Sequence, residues 1–221
     1  MSIACMILGQ SGTGKTTSLR NLNPDDVLLI QAVKKPLPFR STTWLPCTKA
    51  NPKGSILVTD NAQTIVGAMQ RTHKPIIVID DFQYILANEF MRRVLDNETG
   101  NAAFAKYNEI ARNAWDILMT AGKLADETRV YILAHTQEDD NGRIKAKTIG
   151  KLLDEKITLE GLLTIVMRTA VINGQYLFST QNSGSDTVKT PLDMFTEEHV
   201  PNDLAAIDQI ITDYYAISQP A

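Results

Sequence analysis

Ile3-Ala4-Cys5-Met6-Ile7-Leu8-Gly9-Gln10-Ser11-Gly12-Thr13-Gly14-Lys15-Thr16 decides how the rest of the chain is read. Ile3 to Leu8 is short, apolar and rich in β-formers, which predicts a buried strand stopping at Gly9. Gly9 to Thr16 then matches a phosphate-binding pattern: two glycines separated by four residues, followed by Lys and by Ser or Thr. Lys15 to Leu22 has no Pro or Gly and predicts a helix ended near Asn23-Pro24. A strand leading in and a helix leading out aim loop N–H groups and the positive end of a helix dipole at one anion. The predicted cradle for the nucleotide phosphates is therefore Gly9, Gln10, Ser11, Gly12, Thr13, Gly14, Lys15, Thr16 and Thr17. Lys15 is placed to reach the β- and γ-phosphates, and the Thr16 hydroxyl is a hard oxygen ligand suited to Mg²⁺. The bland alternative is a glycine-rich turn that binds nothing.

Working outward, Val27 to Ile30 is a second strand candidate and Ile76 to Ile79 a third. The latter runs into Asp80-Asp81, two carboxylates at the C-terminal edge of a buried strand, where ligands bind in open α/β sheets. This is the Walker B arrangement. Asp80 is the predicted Mg²⁺ residue and Asp81 the group that orients or deprotonates a water. Either could instead cap the helix starting near Phe82. Val130 to Ala134 is the next strand, and His135-Thr136-Gln137 leaves it at the same edge. His135 and Gln137 are therefore candidate γ-phosphate sensors, weighed against an ordinary hydrogen-bonding role.

Between these strands, Asp60 with Gln63 resembles a capping box for a helix through Met69. Ala102 to Ala121 carries a helical stripe of Phe104, Tyr107, Ala111, Ala114, Trp115 and Leu118. Lys34 to Gly54 holds four of the nine prolines and predicts an irregular excursion, with Trp44 as its anchor. Asn141-Gly142 and Asn173-Gly174 predict two hairpins, and Asn202 a cap for a last helix through Tyr214. Arg143, Lys145 and Lys147 alternate along the strand after the first hairpin turn, as a ribbon contacting phosphates requires. A lysine-defended edge strand is the alternative. Strands alternating with helices over the first two thirds imply a mostly parallel sheet with antiparallel additions, and no linker divides the chain.

Composition narrows the class. The 221 residues are 43% hydrophobic and 21% charged, which excludes disordered and collagen-like chains and fits a single domain. With 22 basic and 25 acidic side chains the net charge is -3, so any nucleic-acid site must be local. Cys5 and Cys47 form no disulfide or metal pattern and no apolar run is long enough to span a bilayer, so a cytoplasmic protein is expected, in a host cell if phage-encoded.

The order Gly9–Thr16, Ile76–Asp81, His135-Thr136-Gln137 and the basic hairpin resembles RecA-like P-loop ATPases, and among them the Sak-type single-strand annealing ATPases of phages. Phe178-Ser179-Thr180, Lys189-Thr190-Pro191 and Val200-Pro201-Asn202-Asp203-Leu204 are similar to that group's C-terminal half. The resemblance implies ATP hydrolysis with Mg²⁺ and single-stranded DNA as partner. It also implies assembly into rings or filaments and contact with a phage single-strand-binding protein. Such enzymes commonly carry a glutamate after the second strand; here Gln31 stands there, and Asp81 is the replacement base. Lys189 or Arg168 is a candidate finger toward a neighbouring subunit. The alternatives are a small-molecule kinase with Arg92-Arg93 in its lid, and a protein-directed loader or packaging accessory ATPase.

Overall fold

The computed structural model describes residues 1–95 and 101–218; the side chains of residues 101–104 and of Asp154 lie outside this description. Its strands are β1 (Ile3–Leu8), β2 (Val27–Gln31), β3 (Ile56–Val58), β4 (Ile76–Asp80), β5 (Arg129–Ala134), β6 (Thr136–Glu138), β7 (Ile144–Ala146), β8 (Ile165–Ile172), β9 (Gln175–Ser179) and β10 (His199–Pro201). Its α-helices are α1 (Ala62–Arg71), α2 (Phe82–Arg92), α3 (Asn101–Ala121) and α4 (Leu204–Tyr214). Eight strands form one sheet in the order β10-β9-β8-β1-β5-β4-β2-β3, and β6 and β7 form a separate ribbon. From β8 to β3 all neighbours are parallel, while β9 and β10 add antiparallel pairings at one side. The expected α/β architecture, a mostly parallel sheet flanked by helices with antiparallel hairpins in the C-terminal part, is the one observed.

The central strands read as continuous apolar runs because both faces are covered. Met6, Leu8, Ile77, Ile79, Val130 and Ile132 pack under α1, α2 and α3, meeting Ile65, Phe82, Ile110 and Ile117. Cys5, Ile7, Val78, Tyr131 and Leu133 face the other way, toward Leu19, Trp44 and the α4 residues Leu204, Ile207 and Ile211. Trp44 anchors the Pro-rich excursion as expected, with Phe39 edge-on at 5.8 Å.

At the end of β5 away from the strand tips, Arg129 donates to Asp208 of α4 through Nε (3.0 Å) and a terminal nitrogen (2.8 Å). The fully buried Tyr131 hydroxyl donates to the same carboxylate at 2.6 Å. Burial and this carboxylate together raise the Tyr131 pKa well above its ordinary value. Removing one member of such a network leaves the others buried without a counter-charge. Asp208→Ala is therefore expected to cost about 3–5 kcal/mol of stability, read by denaturant unfolding. A loss under about 1 kcal/mol would show that α4 docks by apolar contact alone.

Four local expectations are corrected. The helix after the glycine-rich loop is a 3₁₀ turn, Thr16–Asn21. Two adjacent threonines and a serine are weak helix formers, and Ser18 diverts its hydroxyl to the Lys15 carbonyl at 2.6 Å. Asn61, not Asp60, caps α1 by accepting from Thr64 N, because Asp60 accepts from Asn88 (2.8 Å) and Arg92 (2.7 Å). Asp203, not Asn202, caps α4 through Ala205 N. The second strand candidate runs one residue further, to Gln31, and β3 and β10 are additional short edge strands.

Candidate nucleotide and metal site

Register brings the strand tips to one level. Leu8 pairs with both Ala134 and Arg168, and Ile79 pairs with Ile132. Gly9 and His135 follow the Leu8–Ala134 pair, Thr169 lies beside them within β8, and Asp81 stands level with Ala134 by extension of the β4–β5 register, so the four lie at one edge. Because β5 lies between β1 and β4, His135 stands between the glycine-rich loop and the carboxylate pair.

The loop packs tightly against β8. A Cβ on Gly9 would lie 1.8 Å from Thr169 Oγ1, and Thr169 instead bonds Leu8 O (3.2 Å) and Thr13 Oγ1 (2.6 Å). Gly14 has φ +96, a conformation that favours glycine. Lys15 is buried and donates to the carbonyls of Gly9 (2.8 Å) and Gln10 (2.9 Å). Burial pushes its pKa down to about 8, against the pull of Asp81 and Asp80. Since the helix behind the loop is only a 3₁₀ turn, its dipole contributes less than the sequence pattern implies, and Lys15 carries more of the positive field.

Asp80 is 1% exposed, and Thr16 Oγ1 donates to both of its oxygens at 3.1 Å. Burial, then the neighbouring Asp81, raises its carboxyl pKa to about 6. A buried carboxylate sharing a hydroxyl is a hard, oxygen-only donor set that fits Mg²⁺, which retains waters and takes few protein ligands. No cluster of three or more His, Cys, Asp or Glu side chains with metal geometry occurs among the described residues. The metal would thus be held jointly with a phosphate-bearing substrate.

Asp81 occupies the N-cap position of α2, yet its side chain caps nothing. Its backbone is left-handed (φ 61, ψ 47), unusual for a non-glycine residue and a strain concentrated at functional positions. That conformation turns the carboxylate into the site, where Oδ2 accepts from Lys35 and Oδ1 lies 3.4 Å from His135 Nε2. The His135 backbone is held from behind, its amide N–H donating to the buried Gln83 side-chain oxygen at 3.1 Å. Burial and then Lys15 lower the ring's pKa against the pull of Asp81, and the net shift favours the neutral ring.

No protein-family model matches the sequence, and no curated protein matches it. Among solved structures the fold is similar to that of the genome packaging NTPase B204 from Sulfolobus turreted icosahedral virus 2, in complex with ATP-gammaS. The likeness has 8% sequence identity and a TM-score of 0.37, covering 83% of this chain and 78% of that one.

Lys15, Thr16, Asp80, Asp81 and His135 are thus brought together. Gln137 lies two residues beyond His135, opposite Lys145 in the β6–β7 ribbon. The ribbon starts at the same sheet edge, since Lys147 N donates to His135 O at 2.8 Å. Of the expected basic face, Arg143 and Lys147 are exposed and Lys145 is half-buried. Arg143 Nε donates to Asp186 O at 3.3 Å. Asp139 closes the turn by accepting from Asn141 N and Arg143 N. Arg168 has a terminal nitrogen 3.5 Å from the buried Asp186, and the Lys189 backbone bridges Val166.

Two residues were not foreseen. Lys35, in the irregular excursion, contacts Asp81 and carried no local signal. Asn202, expected as a cap, instead buries a side-chain amide with both polar atoms unpartnered. Its Oδ1 lies 3.1 Å from where a Gly14 Cβ would stand, and the Tyr176 ring comes equally close.

Proposed function

We propose that this chain is a Mg²⁺-dependent P-loop ATPase acting on single-stranded DNA in phage-type recombination or annealing, assembled as a homo-oligomer. One observation carries the ATPase reading: a buried lysine, a hydroxyl–carboxylate pair and a second carboxylate held off its cap converge at one sheet edge. Lys15 binds the β- and γ-phosphates. Thr16 and Asp80 would hold the metal, which when bound would supply Lewis-acid polarisation of the phosphoryl oxygens. The water oxygen bonds to the γ-phosphorus as the bridging oxygen departs with ADP, and Asp81, steadied by His135, takes the water's proton. The test is ATP turnover with Mg²⁺, with and without single-stranded DNA, and against a panel of nucleosides. Phosphate release stimulated by DNA supports the reading, and phosphorylation of a nucleoside replaces it with a kinase. Against the kinase, Arg92 is paired with Asp60 and Arg93 with Glu109, about 16 Å along α2 from Phe82.

Asp81→Asn is expected to bind Mg-ATP but hydrolyse it about 10²-fold more slowly, the range of a positioned acid–base group. Unchanged turnover would remove Asp81 from the chemistry.

The DNA assignment rests on the ribbon leaving the nucleotide edge directly after His135. Replacing Arg143, Lys145 and Lys147 together by Ala should weaken single-stranded DNA binding and flatten its dependence on salt, because fewer counterions are released. An unchanged salt slope in a binding titration would reassign the ribbon as a protected edge.

A further inference from the structure

The Lys35–Asp81 ion pair belongs to none of the motifs above, and its partners differ sharply in exposure. The Lys35 side chain is 42% exposed, while that of Asp81 is 5% exposed. The carboxylate is fixed by its left-handed backbone and by α2; the ammonium ends a flexible four-carbon stem and can leave. Yet the base of that stem is anchored. Buried Gln31, which pairs with Asp80 across β2 and β4, donates from Nε2 to the Lys35 carbonyl at 3.2 Å. Ala32 N donates to Asp80 O at 3.4 Å. Lys35 is therefore mounted on the edge that carries Asp80.

Lys15 and Lys35 approach the carboxylates from opposite sides. Lys15 comes from the β1 loop, bonded to the Gly9 and Gln10 carbonyls, and Lys35 comes from beyond β2. A water activated by Asp81 stands about 3–3.5 Å from the phosphorus it attacks. An ammonium on Asp81 Oδ2 is then within one side-chain rotation of the oxygens on that phosphorus. The transferring phosphoryl group spreads charge over three equatorial oxygens, and cations placed there act on the transition state. Three other basic side chains weighed above have partners: Arg168 faces Asp186, Arg92 faces Asp60 and Arg93 faces Glu109.

We propose that Lys35 is a catalytic cation acting within its own chain, moving from Asp81 to the terminal phosphate of bound ATP and so vacating the carboxylate oxygen that receives the water's proton. The same lysine would then keep Asp81 engaged until a γ-phosphate arrives, making hydrolysis conditional on ATP rather than ADP. This rests on the ATPase reading of the site.

The experiment measures affinity for Mg-ADP and Mg-ATPγS together with kcat in wild type, Lys35→Gln and Lys35→Arg. Glutamine keeps a donor for Asp81 but loses the charge. Lys35→Gln is expected to hold Mg-ADP within about twofold, lose about tenfold or more of its preference for ATPγS over ADP, and lower kcat by about 10²-fold. Lys35→Arg should recover part of both. Lys35→Gln turning over as fast as wild type, or faster, overturns the proposal and leaves Lys35 as a clamp on Asp81. Wild type that binds neither nucleotide overturns the ATPase reading and this proposal with it. If Lys35→Gln fails to fold, the same preference is compared with and without Lys35→Gln on the Asp81→Asn background, where no carboxylate is orphaned. No fall in preference there also overturns it.

Discussion

ATP turnover in Lys15→Ala is expected to fall by about 10³-fold or more, with the fold retained. The loss follows from position: Lys15 is the buried cation of the loop, and alanine leaves the phosphoryl charge with backbone dipoles and the six-residue 3₁₀ turn behind them. Retention of the fold follows from opposing contributions of similar size. Alanine gives up hydrogen bonds to the carbonyls of Gly9 and Gln10, each worth about 0.5–1.5 kcal/mol net. It also removes an ammonium that burial has pushed down to about 8 and therefore destabilises when charged. Lys15→Arg should fail almost as completely, since a planar fork cannot replace a compact ammonium between two carbonyls. Turnover by phosphate release and melting temperature, measured together, check this. Near-native turnover in the alanine variant would end the phosphate-loop assignment.

What could be read from sequence were features whose cause is local. The glycine-rich loop needs small residues at fixed spacing, β4 and β5 are apolar runs ending in polar groups, and each Asn-Gly pair sits in a hairpin turn. Both misplaced caps have one physical cause. Asp60-Asn61 and Asn202-Asp203 each offer adjacent side chains able to cap, and contacts far along the chain choose between them. Asp60 is claimed by Arg92, and Asn202 is buried against Gly14. The three-residue edge strands β3 and β10 are too short for periodicity to register, and β10 ends in a proline. Lys35 is the most instructive omission. It is one of several basic residues in a Pro-rich loop, and only the parallel register of β2 against β4 sets it beside Asp81. For Asp81 itself the sequence left two roles open; its left-handed backbone goes with a side chain that makes no cap hydrogen bond, a feature set by local conformation and not by residue pattern.

Asp80→Asn is expected to lower Mg²⁺-dependent turnover by several kcal/mol of transition-state stabilisation, on the order of 10³-fold, while making the metal-free protein more stable at pH 8. The sign follows from proton counting. Burial raises the Asp80 carboxyl from 3.8 to about 6, so between those values the folded chain holds a proton that the unfolded chain has released. Stability therefore falls as pH rises through that window, and the full penalty persists at higher pH. At 1.36 kcal/mol per pH unit, the interval from 3.8 to about 6 corresponds to roughly 3 kcal/mol carried by the ionised carboxylate at pH 8. Asparagine keeps an oxygen for the Thr16 hydroxyl, now 3.1 Å from both carboxylate oxygens, without the charge. In EDTA the variant should unfold at higher denaturant concentration than wild type at pH 8, and the two curves should converge near pH 4, where Asp80 is protonated in the folded chain. A variant less stable than wild type at pH 8 would mean that attraction to Lys15 and Lys35 outweighs desolvation. Asp80 would then be an ordinary structural ion pair, and the argument that this carboxylate is kept buried at a cost in stability in order to bind a metal would fail.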